Sequence, residues 1–310
     1  MILKNDRVQL ELNDCIGGHI KQLTVDNQPL MWFPFSEESY LNTTQLAGNP
    51  FMHPWANRLE SNFIQFDDTS IDLSFSSIYR DAHQLPLHGL LLKEMNWITE
   101  MITPTVATQT FHFNQGFANF GDFPIQHTIQ IRYELTSAGV IIETAVHNLS
   151  KQKMPVSFGF HPYFLIDGNR KDVLLRFDVE ESIDTNEFLL PTTKTLPLSE
   201  AWNGFQPLRL DHLSFDHGFF ISKEKQPAQC SFKDASKKVT IKFEKGYHVM
   251  VFYAPNQITK PYLCIEPMVA PTNALLSAHP SFTAPQIDPD ETYLAIFEVF
   301  VTGHNEPQKP

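Results

Sequence analysis

Glycine is scarce in this 310-residue chain, 13 residues against 22 prolines, and neither GxxxxGK[ST] nor GxGxxG occurs, which removes the common backbone cradles for nucleotide phosphates. The GxSxG elbow, HExxH and the EF-hand loop are missing as well. Cations are also few: 23 Lys and Arg stand against 35 Asp and Glu, a net charge of −12 with no basic run, so a nucleic-acid partner is not expected. Only three cysteines occur, Cys15, Cys230 and Cys264. They are too far apart for a CxxC motif or a readable disulfide framework, and read as reduced, buried thiols. The histidines lack close pairs at metal-ligand spacing, so no metal is expected. No run approaches the roughly 20 apolar residues of a membrane span. The N-terminal MILKNDRVQLELND places acids and amides where a signal peptide needs an apolar stretch. A cytoplasmic protein without a membrane partner, monomer or homodimer, is the expectation.

What the chain has in excess is aromatic: 26 Phe, 8 Tyr and 4 Trp, 12% of the sequence. Interior proline costs a helix roughly 3 kcal/mol, so this composition leans towards β structure. Apolar residues recur every second position far more often than at helical spacing. In PIQHTIQIRYE, residues 124–134, Ile125, His127, Ile129, Ile131 and Tyr133 share a face, and Ser137-Ala138-Gly139 turns the chain into 140–147. Similar alternation marks 8–12, 63–66, 71–75, 106–113, 173–179, 239–243, 249–253 and 294–301. Helix is expected only over 37–46, with at most one turn at 198–202. Strands without intervening long helices argue against doubly wound and barrel α/β folds. The predicted fold class is all-β: a large antiparallel β-sandwich of about twenty short strands whose interior absorbs the phenylalanines. Without a linker or repeat, residues 1–310 are read as one domain, with a frayed tail from His304 to Pro310.

Five windows embed titratable residues among aromatics and turns. In Asn49 to Leu59, NPFMHPWANRL, Arg58 follows Asn57 after two proline-directed bends. Its five-donor fork suits several hydroxyl or carboxylate oxygens, and equally a structural ion pair. His88 sits beside Gly89 and is either a ligand contact or a hydrogen-bonded core histidine. FGFHPYF surrounds His161 with four aromatic side chains. Asp216, in FDHGFF, is placed just before a strand and reads alternatively as a turn cap. Glu266 is placed at the end of an apolar strand, immediately before Pro267. A buried acid needs a partner or a task.

Together these windows resemble the aldose 1-epimerase, or galactose mutarotase, family. Asn57-Arg58-Leu59, His88-Gly89, Gly159-Phe160-His161-Pro162-Tyr163-Phe164, Asp216-His217-Gly218-Phe219 and Cys264-Ile265-Glu266-Pro267 follow one another as the family's motifs do, over nearly the whole chain. His53-Pro54-Trp55 stands where many members carry Gly-Arg, a departure that bears on the sugar more than on the chemistry. The resemblance implies a galactose mutarotase-like supersandwich and a hexose substrate whose anomers interconvert by acid–base ring opening. It implies Glu266 as general base, His161 as general acid, and Asn57, Arg58, His88 and Asp216 as substrate contacts. No cofactor is implied. Reference pKa values of about 4.3 and 6.5 match these two roles, with Asp216 and Glu266 expected to keep His161 protonated. Trp55 or Phe164 is expected to stack on the sugar. The alternatives are a hexose-6-phosphate epimerase, which needs extra cations, and a sugar-binding protein without turnover.

Overall fold

Among the described residues the two-residue period becomes 25 strands, accompanied by one six-residue helix and three 3-10 turns. The computed structural model describes residues 1–66, 69–198, 207–211, 214–257 and 260–302. The predicted tail from His304 to Pro310, and residues 199–202 of the possible turn, lie outside the described residues. The strands form a twelve-stranded and a nine-stranded sheet with two small pairs, and all pairing between strands is antiparallel. This is the all-β, antiparallel architecture expected from the sequence. At the centre of the larger sheet lie Gly159–Phe160, Tyr262–Met268, Val249–Ala254 and Phe215–Ile221, in that order.

The predicted hairpin forms with His127–Leu135 paired to Gly139–Asn148, Leu135 facing Val140 and His127 facing Asn148. Three expectations are corrected. The helix covers Glu37–Asn42 and stops at extended Thr43, short of residue 46; Ser36 caps its start. The β-branched pair Thr43-Thr44 disfavours continuation. Residues 71–75 split, because the strand Thr69–Asp72 gives way to a 3-10 turn Leu73–Phe75 capped by Asp72. Residues 173–179 also split, into Leu174–Phe177 of the smaller sheet and Val179–Thr185 of the larger. The chain changes sheets at Asp178, whose carboxylate accepts from Lys225 Nζ at 2.9 Å and Gln229 N at 3.1 Å.

Between the sheets the phenylalanines pack as the composition suggested. Phe113, Phe158, Phe160, Phe164, Phe232 and Phe297 are all fully buried in one cluster, each contributing about 2–3 kcal/mol of burial free energy. Cys230 and Cys264 are buried and reduced, whereas Cys15 is exposed, against expectation. Polar side chains in this interior are held by specific partners. His127 Nδ1 lies 2.7 Å from Ile125 O and must donate to it, so its Nε2 accepts from His53 Nε2 at 2.8 Å. That bond is lost only when both rings are protonated, since one of the two nitrogens must keep its lone pair.

Burial lowers His127 and His19 to about 4, and lowers His53 well below the ordinary imidazole value. The unfolded chain takes up these protons near pH 6.5 and the folded chain resists them. The stabilisation is therefore complete above about pH 6.5 and is lost as pH falls towards 4, by about 3 kcal/mol for each histidine held near 4. Equilibrium urea unfolding is expected to show a clearly lower midpoint at about pH 4.5 than at about pH 7. An unchanged midpoint would contradict this account of the buried histidines.

Candidate active site

Alternation along the central strands sends every second side chain away from the inter-sheet core. Ile265, Phe252, Met250 and Phe219 join the core between the sheets, while Cys264, Met268, Val251 and Val249 form a second cluster on the opposite face. Glu266 has the parity of Cys264 and Met268, and Tyr253 that of Val251, so both reach this outer face. Asp216 lies within the strand Phe215–Ile221, opposite Tyr253, and not before it. Glu266 likewise lies inside its strand, opposite Val251, and pairing continues through Pro267, which faces Met250.

Loops close over this face. Asn57 and His88 both adopt left-handed backbone, at φ of 57° and 62°, and His88 N donates to Asn57 O at 2.9 Å. Gly89 is required at the next position, because a Cβ there would stand 2.2 Å from His53 O. Such conformations cost about 1 kcal/mol each and persist where surrounding contacts enforce them. The result is an open cleft of about 870 Å³ that all six sequence-predicted residues line: Asn57, Arg58, His88, His161, Asp216 and Glu266. Its far wall is residues 41–46 and 77–80, and Tyr163, Tyr253, Tyr262 and Lys260 complete it.

At its floor His161 Nε2 lies 3.3 Å from Glu266 Oε1, both side chains almost fully buried. Their other heteroatoms, His161 Nδ1 and Glu266 Oε2, have no hydrogen-bonding partner. The His161 ring stacks on Tyr163 at 4.5 Å and meets His88 edge-on at 5.2 Å. Arg58 spans the cleft side, with Nε 3.1 Å from Asp81 and NH2 3.4 Å from Asp216. It is thus ion-paired and also faces the cleft, so neither of the two sequence readings excludes the other.

Burial sets the protonation states. It drives His161 down to about 3, with Arg58 adding a smaller push in the same direction. It raises Glu266 well above the ordinary carboxyl value, with help from Asp216. Asp216 is itself raised by burial, against the opposing pull of Arg58, and His88 is held well below the usual imidazole range by burial, then by His161 and Arg58. The expectation that Asp216 and Glu266 keep His161 charged is therefore corrected: desolvation outweighs the carboxylates, and neutral imidazole beside neutral carboxyl is favoured. The stacking residues are corrected too. Trp55 and Phe164 point into the core, where Phe164 packs against Phe232 at 5.7 Å. Tyr163, two residues from His161 and hence on its face, lines the cleft instead. The sequence reading missed Tyr163, Tyr253 and Asp81; a strict period of two from His161 and Glu266 finds the first, and no local signal finds Asp81. Among the described residues no three His, Cys, Asp or Glu side chains come together as a metal site, and no helix is long and apolar enough to cross a membrane.

The family model described as aldose 1-epimerase matches residues 2–299. No curated protein matches the sequence. Among solved structures, a galactose mutarotase-like protein from Clostridium acetobutylicum superposes with a TM-score of 0.84 at 17% identity, over 97% of this chain and 94% of its own. An aldose epimerase homologue from C. elegans gives 0.81 at 17% identity, over 98% and 99%. A galactose 1-epimerase from Lactobacillus acidophilus gives 0.75 at 15% identity, over 97% and 93%. At these identities the structural likeness establishes the fold.

The raised Glu266 carboxyl has a stability consequence. The folded chain keeps a proton that the unfolded chain releases above about pH 4.3, so this residue destabilises the fold increasingly as pH rises from there. Glu266→Gln, which has no proton to lose, is expected to be more stable than the parent at neutral pH, with the gain vanishing near pH 4. Thermal unfolding at both pH values measures it; a variant less stable at neutral pH would contradict the assigned direction.

Proposed function

The chain belongs to the aldose 1-epimerase family, and from that premise we propose that it interconverts the α and β anomers of a free hexose, with His161 and Glu266 as its acid–base pair. The observation that carries this reading is the 3.3 Å contact between His161 Nε2 and Glu266 Oε1 on the cleft floor. It brings two buried titratable groups together, their other heteroatoms buried without a partner, beside Arg58, His88, Asn57 and Asp216.

Glu266 takes the proton from the anomeric hydroxyl while His161 delivers one to the ring oxygen, and the C1–O5 bond breaks to give the open-chain aldehyde. Rotation about C1–C2 presents the other carbonyl face. O5 then attacks C1, returning its proton to His161, as Glu266 reprotonates the carbonyl oxygen. The protons balance over the cycle, and neither redox chemistry nor a cofactor is called on. Arg58, His88, Asn57 and Asp216 hold the ring hydroxyls, and the tyrosines offer faces for its apolar side.

Burial and role are compatible because the pair carries one mobile proton. Neutral His161 with protonated Glu266, and imidazolium with carboxylate, hold the same number of protons and differ by a transfer across their contact. Burial favours the first; the second is the form that reacts. Such a shared proton predicts a broad plateau of kcat/KM. The acid limb lies below even the ordinary carboxyl value of about 4.3, because His161 is held near 3, and the alkaline limb is raised with the Glu266 carboxyl. A second reading, a 6-phosphorylated hexose, is favoured by Lys260 on the cleft wall.

Polarimetry decides among these. Freshly dissolved α-glucose or α-galactose is expected to relax faster with protein than in buffer. Glu266→Gln and His161→Asn are each expected to lower kcat/KM by about 100-fold or more. Activity retained by Glu266→Gln refutes the base assignment, and acceleration confined to a 6-phosphorylated sugar establishes the second reading. In the pH profile, limbs at the ordinary values of about 4.3 and 6.5 would refute the shared proton.

A further inference from the structure

Asp81 belongs to none of the motifs that single out the predicted site residues and does not line the cleft, yet its side chain is 7% exposed and its Oδ2 lies 3.1 Å from Arg58 Nε. The other oxygen, Oδ1, accepts from His83 N at 2.8 Å and Leu85 N at 3.0 Å. Its backbone N–H donates to Leu85 O at 3.1 Å, and Leu87 N donates to Tyr79 O at 2.8 Å. One carboxylate thus joins the guanidinium to a closed turn whose flanking residues, Tyr79 and Arg80, form cleft wall.

A guanidinium is planar, and its orientation is fixed when two of its edges are held. Asp81 holds the Nε edge and Asp216 an NH2 hydrogen, while NH1 has no hydrogen bond to any described residue. Asp216 is a poor sole anchor: its contact is 3.4 Å, its side chain is 29% exposed, and it is itself assigned to the sugar. Asp81 is tied down by its own turn and lies behind the guanidinium, so it can hold Arg58 without competing for the substrate.

We propose that Asp81 is a positioning residue, which clamps Arg58 through Nε so that its NH1 edge is presented to the sugar, and which locks the adjoining cleft wall to the same point. The proposal rests on the sugar-binding reading of the cleft. Arg58 holds hydroxyls in ground and transition states alike, so the loss of its clamp acts on binding rather than turnover.

The test is Asp81→Asn, which keeps a carbonyl for the His83 and Leu85 N–H groups but turns an amide donor towards Arg58 Nε–H. The expected result is a rise of about tenfold in KM, with kcat within about twofold. In an Arg58→Ala background the same substitution is expected to add nothing, because the group it acts through is gone. An unchanged KM, or a loss that multiplies in full onto that of Arg58→Ala, overturns the proposal. A second readout needs no substrate. The Arg58 Nε–H signal in nitrogen-edited NMR is expected to exchange with solvent at least about tenfold faster in Asp81→Asn than in the parent. Equal rates overturn the clamp. If the parent accelerates no sugar, the functional reading fails alone, and the exchange rates still decide the clamp.

Discussion

One strand, Tyr262–Met268, is buried on both faces along its whole length, and the placement of the catalytic candidates depends on that constraint. A strand with solvent on one side would leave its acid hydrated and its pKa ordinary. Here the inner face packs on the inter-sheet core through Leu263 and Ile265, and the outer face sits under closing loops with Cys264, Glu266 and Met268. Glu266 is 1% exposed for this reason alone. Its carboxyl stands 3.3 Å from the His161 imidazole, within reach of a proton transfer. The fold thus forces two titratable groups into one desolvated compartment, where burial is the largest influence on the charge of each.

The loops that close the compartment are held by backbone geometry more than by side chains. Left-handed Asn57 and His88 face each other across a main-chain hydrogen bond, and the isolated bridge between Arg58 and Leu87 continues that contact. Asn273 joins them, its N–H donating to Arg58 O at 3.0 Å and its side chain accepting from Glu60 N at 3.0 Å. Arg58 is thereby fixed at its main chain, and through Asp81 and Asp216 at its head. A charged group held at both ends loses little further freedom when a ligand binds, which lowers the entropic cost of binding.

The fold was legible where the two-residue period runs uninterrupted, as at 106–113 and 124–134. It was least legible where the backbone changes direction within an apolar run. Asp178 is flanked by Phe177 and Val179, which both read as strand, and only the packed sheets show that they belong to different layers. The catalytic candidates were legible through motif order, because each sits in a short aromatic window. Their protonation was not. Sequence reports neighbours along the chain, whereas burial of His161 is made by Tyr163, Tyr253 and His88, which reach it from three separate segments. Asp81 is the extreme case: 23 residues from Arg58 and in a polar stretch, it carries no local mark of the ion pair it makes.

The same geometry explains why an acidic protein suits a neutral substrate. Arg58 enters the cleft already balanced by Asp81 and Asp216, and the His161–Glu266 pair is electrically neutral in either tautomer. What remains to meet a ligand is a set of directed donors and acceptors with little net positive field. Polyhydroxylated rings bind through many such directed contacts, and each buried polar atom left unpaired is costly. His161 Nδ1, His88 Nδ1 and Glu266 Oε2 are buried without a hydrogen-bonding partner among the described residues. On the proposed reading, the donors and acceptors that line the cleft orient the sugar, while burial of the His161–Glu266 pair governs the proton it shares.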